Sequence, residues 1–348
     1  MSVMRDRLIP ALGRVGFVLL SAAVLIVFSE KMFWYVTGYS FLDLLLGYFF
    51  PAFILLWVID AFRVRRLAPL FLAGAMFGFL AEGMLVGTLY EGGPLNWFSV
   101  SYTSLAWHAP LSVVFGWYAL RHWLVAGQAR ALALGCAAVG LFWGLWAMAW
   151  WLPENAADPA LLAQGARLGQ WPVADFALHA FTFTGVLAVA LWLLGRGGWS
   201  SFRPSRVEVA LVVAGLLVFF AAGVLPGAPW APLKLLPLLG ATLLALYVNK
   251  RREPPGSLLA VTAGPVRPVL LPLLLVMPAV AVGVYAVAAA LAPPVEVIYG
   301  ITAIGGVMAT AVLGGLVYLI ALLRTVGWRR GKQQPGCSEK SPVANESA

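Results

Sequence analysis

The sequence predicts an all-α fold, a polytopic integral membrane bundle of about ten transmembrane helices with both termini cytoplasmic. Three observations carry this. Only 11% of the 348 residues are charged while 62% are hydrophobic, and mean hydropathy is +0.90. A soluble domain carries roughly 25% charged residues, so a water-facing surface cannot be built from this composition. Apolar runs of about 20 residues recur along the chain, the length a helix needs to cross a hydrocarbon core of ~30 Å. They are continuous, unlike the alternating strands of about 10 residues in a membrane β-barrel. The third observation is the charge partition: on an alternating ten-span topology, 20 of the 23 Lys and Arg fall on the amino-terminal side. Lys31, Arg167 and Lys234 alone fall on the other. Positive loops stay cytoplasmic, which orients the chain and places it in a cell inner (cytoplasmic) membrane.

Taken in order, the expected spans are residues 11–33, 41–62, 68–90, 104–125, 131–152, 176–195, 207–225, 233–249, 269–291 and 297–323. The first follows Arg5 and Arg7 and resembles a signal peptide, but Ser29-Glu30-Lys31-Met32 offers no small-residue cleavage site, so it is expected to remain uncleaved. The eighth is short and flanked by Pro232 and Lys234, which leave room for a tilted or broken element. The non-cytoplasmic face collects Glu30, Asp43, Glu91, Glu154, Asp158, Asp175 and Glu296. Trp34, Tyr35, Trp97, Tyr102, Trp107, Trp150, Trp151, Trp171 and Trp230 fall near it too and are expected to form a headgroup-depth aromatic belt.

Three portions follow: 1–195 with the intramembrane Glu and His groups, an apolar four-helix portion at 196–324, and a disordered cytoplasmic tail at 325–348. The apolar portion is expected to serve packing, to make an oligomer contact or to wall a cavity. Cys136 in a span and Cys337 in the tail form no disulfide framework. The net charge of +9 is accounted for by the cytoplasmic loops, and no basic, aromatic-interleaved stretch suits nucleic acid. The partners expected are the lipid bilayer and a lipid-like small molecule.

Chemistry is expected where ionisable groups enter the membrane, because such groups are costly and face a bundle interior or wet cavity. Glu82 lies roughly 12 Å below the outer end of the third span. Gly74 and Gly78 precede it at intervals of four, sharing its face and permitting close helix contact. His108 lies near the outer end of the fourth span, with Ser104 and Ser112 one turn either side and Pro110 close by. His179 lies near the outer end of the sixth, with Asp175 one turn before it, placed to orient its imidazole. On the alternating topology Glu82, His108 and His179 all fall in the outer half. His122 lies about 21 Å from His108 along the same helix and cannot join them.

These four groups, Glu82, His108, His179 and Asp175, form the candidate catalytic set. His108, His179 and either carboxylate would make three metal ligands, but no HxxxH, HExxH or CxxC spacing supports a metal, and no cofactor is assigned. No GxSxG, aspartate-rich prenyl-diphosphate motif or Walker A loop occurs. The segment AEGMLVGT at 81–88, followed by an aromatic loop, is similar to membrane carotenoid hydratases over fewer than a dozen positions, too short a stretch to assign that family. The expected function is an intramembrane enzyme acting on a lipid-like or isoprenoid substrate from the non-cytoplasmic leaflet by Glu/His acid–base chemistry. The alternatives are a secondary transporter with a Glu/His proton relay and a non-catalytic scaffold. The two halves lack the internal similarity that inverted repeats would give a transporter.

Overall fold

The computed structural model describes residues 2–33, 40–151, 171–294, 297–298 and 300–327. The expectations for Trp34, Tyr35, Glu154, Asp158, Arg167, Glu296 and the tail beyond 327 lie outside these residues. Among the described residues, ten long helices follow in chain order. They are α1 (Ser2–Ile26, continued by a π-turn at Val27–Lys31), α2 (Phe41–Ala61), α3 (Leu67–Leu80, continued by a π-turn at Ala81–Val86) and α4 (a π-wound stretch Val100–Ala119, then Leu120–Ala126). Next come α5 (Ala129–Trp146), α6 (Val173–Arg196), α7 (Arg206–Phe219, then Phe220–Val224) and α8 (Ala231–Arg252). The last are α9 (Pro268–Leu275, tightly wound, then Val276–Leu291) and α10 (Gly300–Met308, then Ala309–Gly327).

The fold is thus the expected all-α membrane bundle: nine of these helices are long and apolar enough to cross a membrane. The tenth is α4, whose Ser101, Tyr102, Thr103, Ser104, Trp107 and His108 dilute its apolar content. The eighth span is a full helix. It runs unbroken for 22 residues through Pro237, with Pro232 at its first turn where a missing N–H costs nothing.

Helix α3 is buried along nearly its whole length and packs against α4, α2, α8 and α10. Small residues set the closest approaches, as they do wherever helices must pack without a hydrophobic driving force between them. A Cβ on Gly78 would lie 2.8 Å from the Ser104 Cα, and one on Gly74 3.0 Å from the Ala109 Cα. Gly314 of α10 meets the Ala106 backbone of α4, and Gly140 and Gly144 of α5 meet the Met277 and Ala281 carbonyls of α9. The outward sides of α7 and α10 expose Leu211, Leu217, Val218, Val312, Leu313 and Leu319. In a bilayer these face lipid at no cost.

Polar groups tie helix ends together. Arg14 of α1 donates two hydrogen bonds to Glu208 Oε1, at 3.0 and 2.8 Å, and Glu208 also forms the N-terminal capping box of α7 with Ser205. Asp60 at the end of α2 accepts from the Phe202 N–H and from Ser257. Arg121 departs from expectation: assigned to the loop charges, it is fully buried in α4. Its guanidinium lies 5.6 Å from the Phe17 ring and 6.0 Å from that of Trp117, and its nitrogens have no hydrogen-bond partner among the described residues. Buried charge that lacks full hydrogen bonding is often outdone by an apolar side chain of similar volume. Arg121→Met is therefore expected to raise stability by about 1–4 kcal/mol, checked by thermal unfolding of the protein in detergent micelles. An unchanged or lowered midpoint would show that the ring faces fully compensate the charge.

Candidate functional site

The site is built where three π-wound segments meet. A wider turn shifts the side-chain register of a helix and frees carbonyls from the ordinary ladder, which is why such turns gather at functional positions. The turn at Val27–Lys31 carries Ser29 and Glu30, the turn at Ala81–Val86 carries Glu82, and the π-wound part of α4 carries His108 and Ser112.

Glu82 and His108 converge. Glu82 Oε1 lies 2.5 Å from His108 Nε2, and Thr88 Oγ1 donates to the other carboxylate oxygen. His108 Nδ1 lies 2.9 Å from Ser29 Oγ, which lies 2.9 Å from Ser112 Oγ. Both imidazole nitrogens and both carboxylate oxygens therefore have partners, as groups at this depth require. The His108 side chain is 2% exposed and that of Glu82 11%, so the carboxylate is the member of the pair nearer an opening. The Phe77 ring meets the imidazole edge-on at 5.6 Å and helps fix its plane.

A second carboxylate stands beside the first. Tyr48 of α2 donates to Glu30 Oε1 at 2.5 Å, and Glu30 lies within electrostatic reach of both Glu82 and His108. Removing one partner of a buried hydrogen bond to a charged group costs about 1–3 kcal/mol. Tyr48→Phe is expected to lose that much in a denaturation titration; no loss would show that water replaces the phenol. Beyond the membrane-spanning segments, partial burial of its carboxyl end, and then the Glu82 charge, push the Glu91 carboxyl above its ordinary range.

The other two expected members behave differently. His179 donates from Nε2 to the Lys31 carbonyl at 2.7 Å and stands among the rings of Trp143, Trp150, Trp171 and Phe183. It thus ties α6 to the same end of α1 that holds Ser29, without a described contact to Glu82 or His108. Asp175 is exposed near the start of α6. Among the described residues, no three His, Cys, Asp or Glu side chains gather as metal ligands.

The aromatics expected as a belt are partly an internal cluster. Trp107 and Trp151 are buried, with the Trp107 indole donating to the Phe28 carbonyl at 2.7 Å. Trp146 and Trp150 both donate to the Phe33 carbonyl, at 3.0 and 2.7 Å. These carbonyls lie at and beyond the π-turn closing α1, where helical partners are lacking, and indoles can satisfy them while filling apolar space.

Ser29, Glu30, Tyr48 and Thr88 were missed as site members. Glu30 carried a signal, being an acid at a span end. Thr88 carried none: it is six residues from Glu82 and reaches back only because Gly87 adopts φ 90, a left-handed conformation that reverses the chain.

Fold and site together define a polytopic α-helical membrane protein with a buried carboxylate–imidazole pair near one end of its third and fourth helices. A UPF0182 protein of Synechococcus sp. (strain CC9605) is 32% identical over 126 residues, covering 32% of this chain and 13% of that protein. So small a share of the relative carries no activity across. No protein-family profile matches the chain, and no solved structure matches it.

Proposed function

We propose that this protein is an intramembrane enzyme that moves protons on a lipid-like or isoprenoid substrate, with Glu82 as the group facing substrate and His108 as its proton partner. The observation that carries the reading is the 2.5 Å Glu82–His108 contact inside a largely apolar bundle. Held at that distance, a proton passes between Oε1 and Nε2 with little rearrangement, so protonated Glu82 acts as an acid and its carboxylate as a base. Ser29, itself hydrogen-bonded to Ser112, holds the imidazole from behind, and Thr88 holds the second carboxylate oxygen. The apolar surroundings exclude competing water and suit a hydrocarbon substrate. The charge partition of the loops supports a site open to the non-cytoplasmic leaflet of a cytoplasmic membrane.

The test is comparative lipid analysis. Lipid extracts from cells expressing the wild-type chain or Glu82→Gln are compared by mass spectrometry. The expected difference is a species that depends on Glu82 and differs from its precursor by the elements of water or by isomerisation alone. Identical extracts, with both proteins present in the membrane, would overturn the reading. Glu82-dependent uptake of an unmodified solute into sealed vesicles would replace it with proton-coupled transport.

A further inference from the structure

Lys234 stands near the start of α8, in the apolar four-helix portion of the chain. It is 2% exposed. Its ammonium donates to the Leu89 carbonyl at 2.9 Å, to Ser99 Oγ at 3.2 Å and to the Asn96 carbonyl. The Trp97 and Trp230 rings lie 5.9 and 5.8 Å from it. Three N–H donors thus meet three oxygens, and two ring faces offset part of the lost hydration.

Each of these oxygens belongs to the connection between α3 and α4. Ser99 closes the arrangement by donating to the Leu89 carbonyl at 2.9 Å. Leu89 directly follows Thr88, whose hydroxyl donates to Glu82. The next residue of α8 reinforces the link: Leu235 packs where a Cβ on Gly83 would lie, 3.1 Å away, beside Glu82 itself. An ionisable group inside a membrane bundle is expensive enough to call for a role, and holding neutral carbonyl and hydroxyl oxygens is a costly use of a cation unless the loop's placement matters.

We infer that Lys234 is a positioning residue for the Glu82–His108 pair: it clamps residues 89–99 so that Thr88 is held on the Glu82 carboxylate. The functional meaning of the clamp rests on the acid–base reading above, but the clamp can be read without any substrate. The protein, labelled with 15N-histidine and placed in lipid nanodiscs, contains three histidines, and His108→Gln identifies the His108 ring signals. Thr88→Val is expected to move those signals. Lys234→Met is expected to move them in the same direction, and Lys234→Arg, which keeps the cation, to return them toward the wild-type position. The double variant Lys234→Met with Thr88→Val is expected to show no displacement beyond Thr88→Val alone, because both act through one hydroxyl.

A folded Lys234→Met protein with wild-type His108 signals overturns the inference, as does a double variant whose displacement is the sum of the two. If Lys234→Met does not reach the membrane, Ser99→Ala loosens the same clamp by removing one acceptor and the bond to Leu89. It is expected to give a smaller displacement in the same direction, and unmoved signals in it also overturn the inference. Should the lipid comparison fail while these signals move as described, the clamp stands and only the chemistry assigned to the pair falls.

Discussion

Glu82→Gln is expected to lower turnover of the Glu82-dependent lipid by 10²–10⁴-fold, roughly the contribution of a positioned proton-transfer group. The substitution keeps the volume and one oxygen for the Thr88 hydroxyl, so the bundle should persist while the titratable proton is lost. His108→Gln should cause a loss of similar size, because without the imidazole Glu82 cannot be recharged through the bundle. The double variant should be no worse than either alone, since residues acting as one unit are strongly non-additive. Turnover by purified protein in nanodiscs, measured beside size-exclusion and thermal profiles, checks all three. Full activity in a well-folded Glu82→Gln protein would remove the pair from catalysis and leave it a structural hydrogen bond.

The bundle was legible because a bilayer imposes one requirement over and over: a continuous apolar run long enough to cross it. All ten expected spans appear as helices, and the weakest of them, at α8, is a full one. Glu82 and His108 were legible for the complementary reason, as costly exceptions to an apolar rule. The Gly74 and Gly78 spacing even indicated which face would meet another helix. What periodicity could not supply was the local winding. Each π-turn rotates the residues after it relative to a regular helix, so the directions of Ser29, Glu30 and Glu82 were not given by a period of 3.6. Asp175 is exposed near the start of α6, where regular spacing alone does not say how its carboxylate is directed. Lys234 was seen as an exception in the charge partition but not as a clamp, because its acceptors are mainly backbone oxygens, which every residue has.

The geometry that brings the pair together should also be its weakest point. Glu82 and His108 come from different helices, and their 2.5 Å contact depends on how closely α3 and α4 approach. That approach is set at Gly78, where an added Cβ would lie 2.8 Å from the Ser104 Cα and 2.9 Å from the Ser104 carbonyl oxygen. Both of those atoms are backbone, so no rotamer change relieves the clash and α4 must move. Gly78→Ala is therefore expected to cost about 1–3 kcal/mol as overpacking, despite the helix propensity that alanine adds. A displacement of even ~1 Å at a reacting pair can cost about 10²-fold in rate, so the activity loss should exceed what reduced stability alone predicts. Gly283 of α9 supplies the control, since a Cβ there meets nothing within 4 Å. Gly283→Ala should be neutral or stabilising by about 0.5–1 kcal/mol, with activity unchanged. Thermal unfolding and lipid turnover of the two variants, side by side, separate the effects. If Gly78→Ala matched Gly283→Ala in both, close approach of α3 and α4 would not be what holds Glu82 against His108.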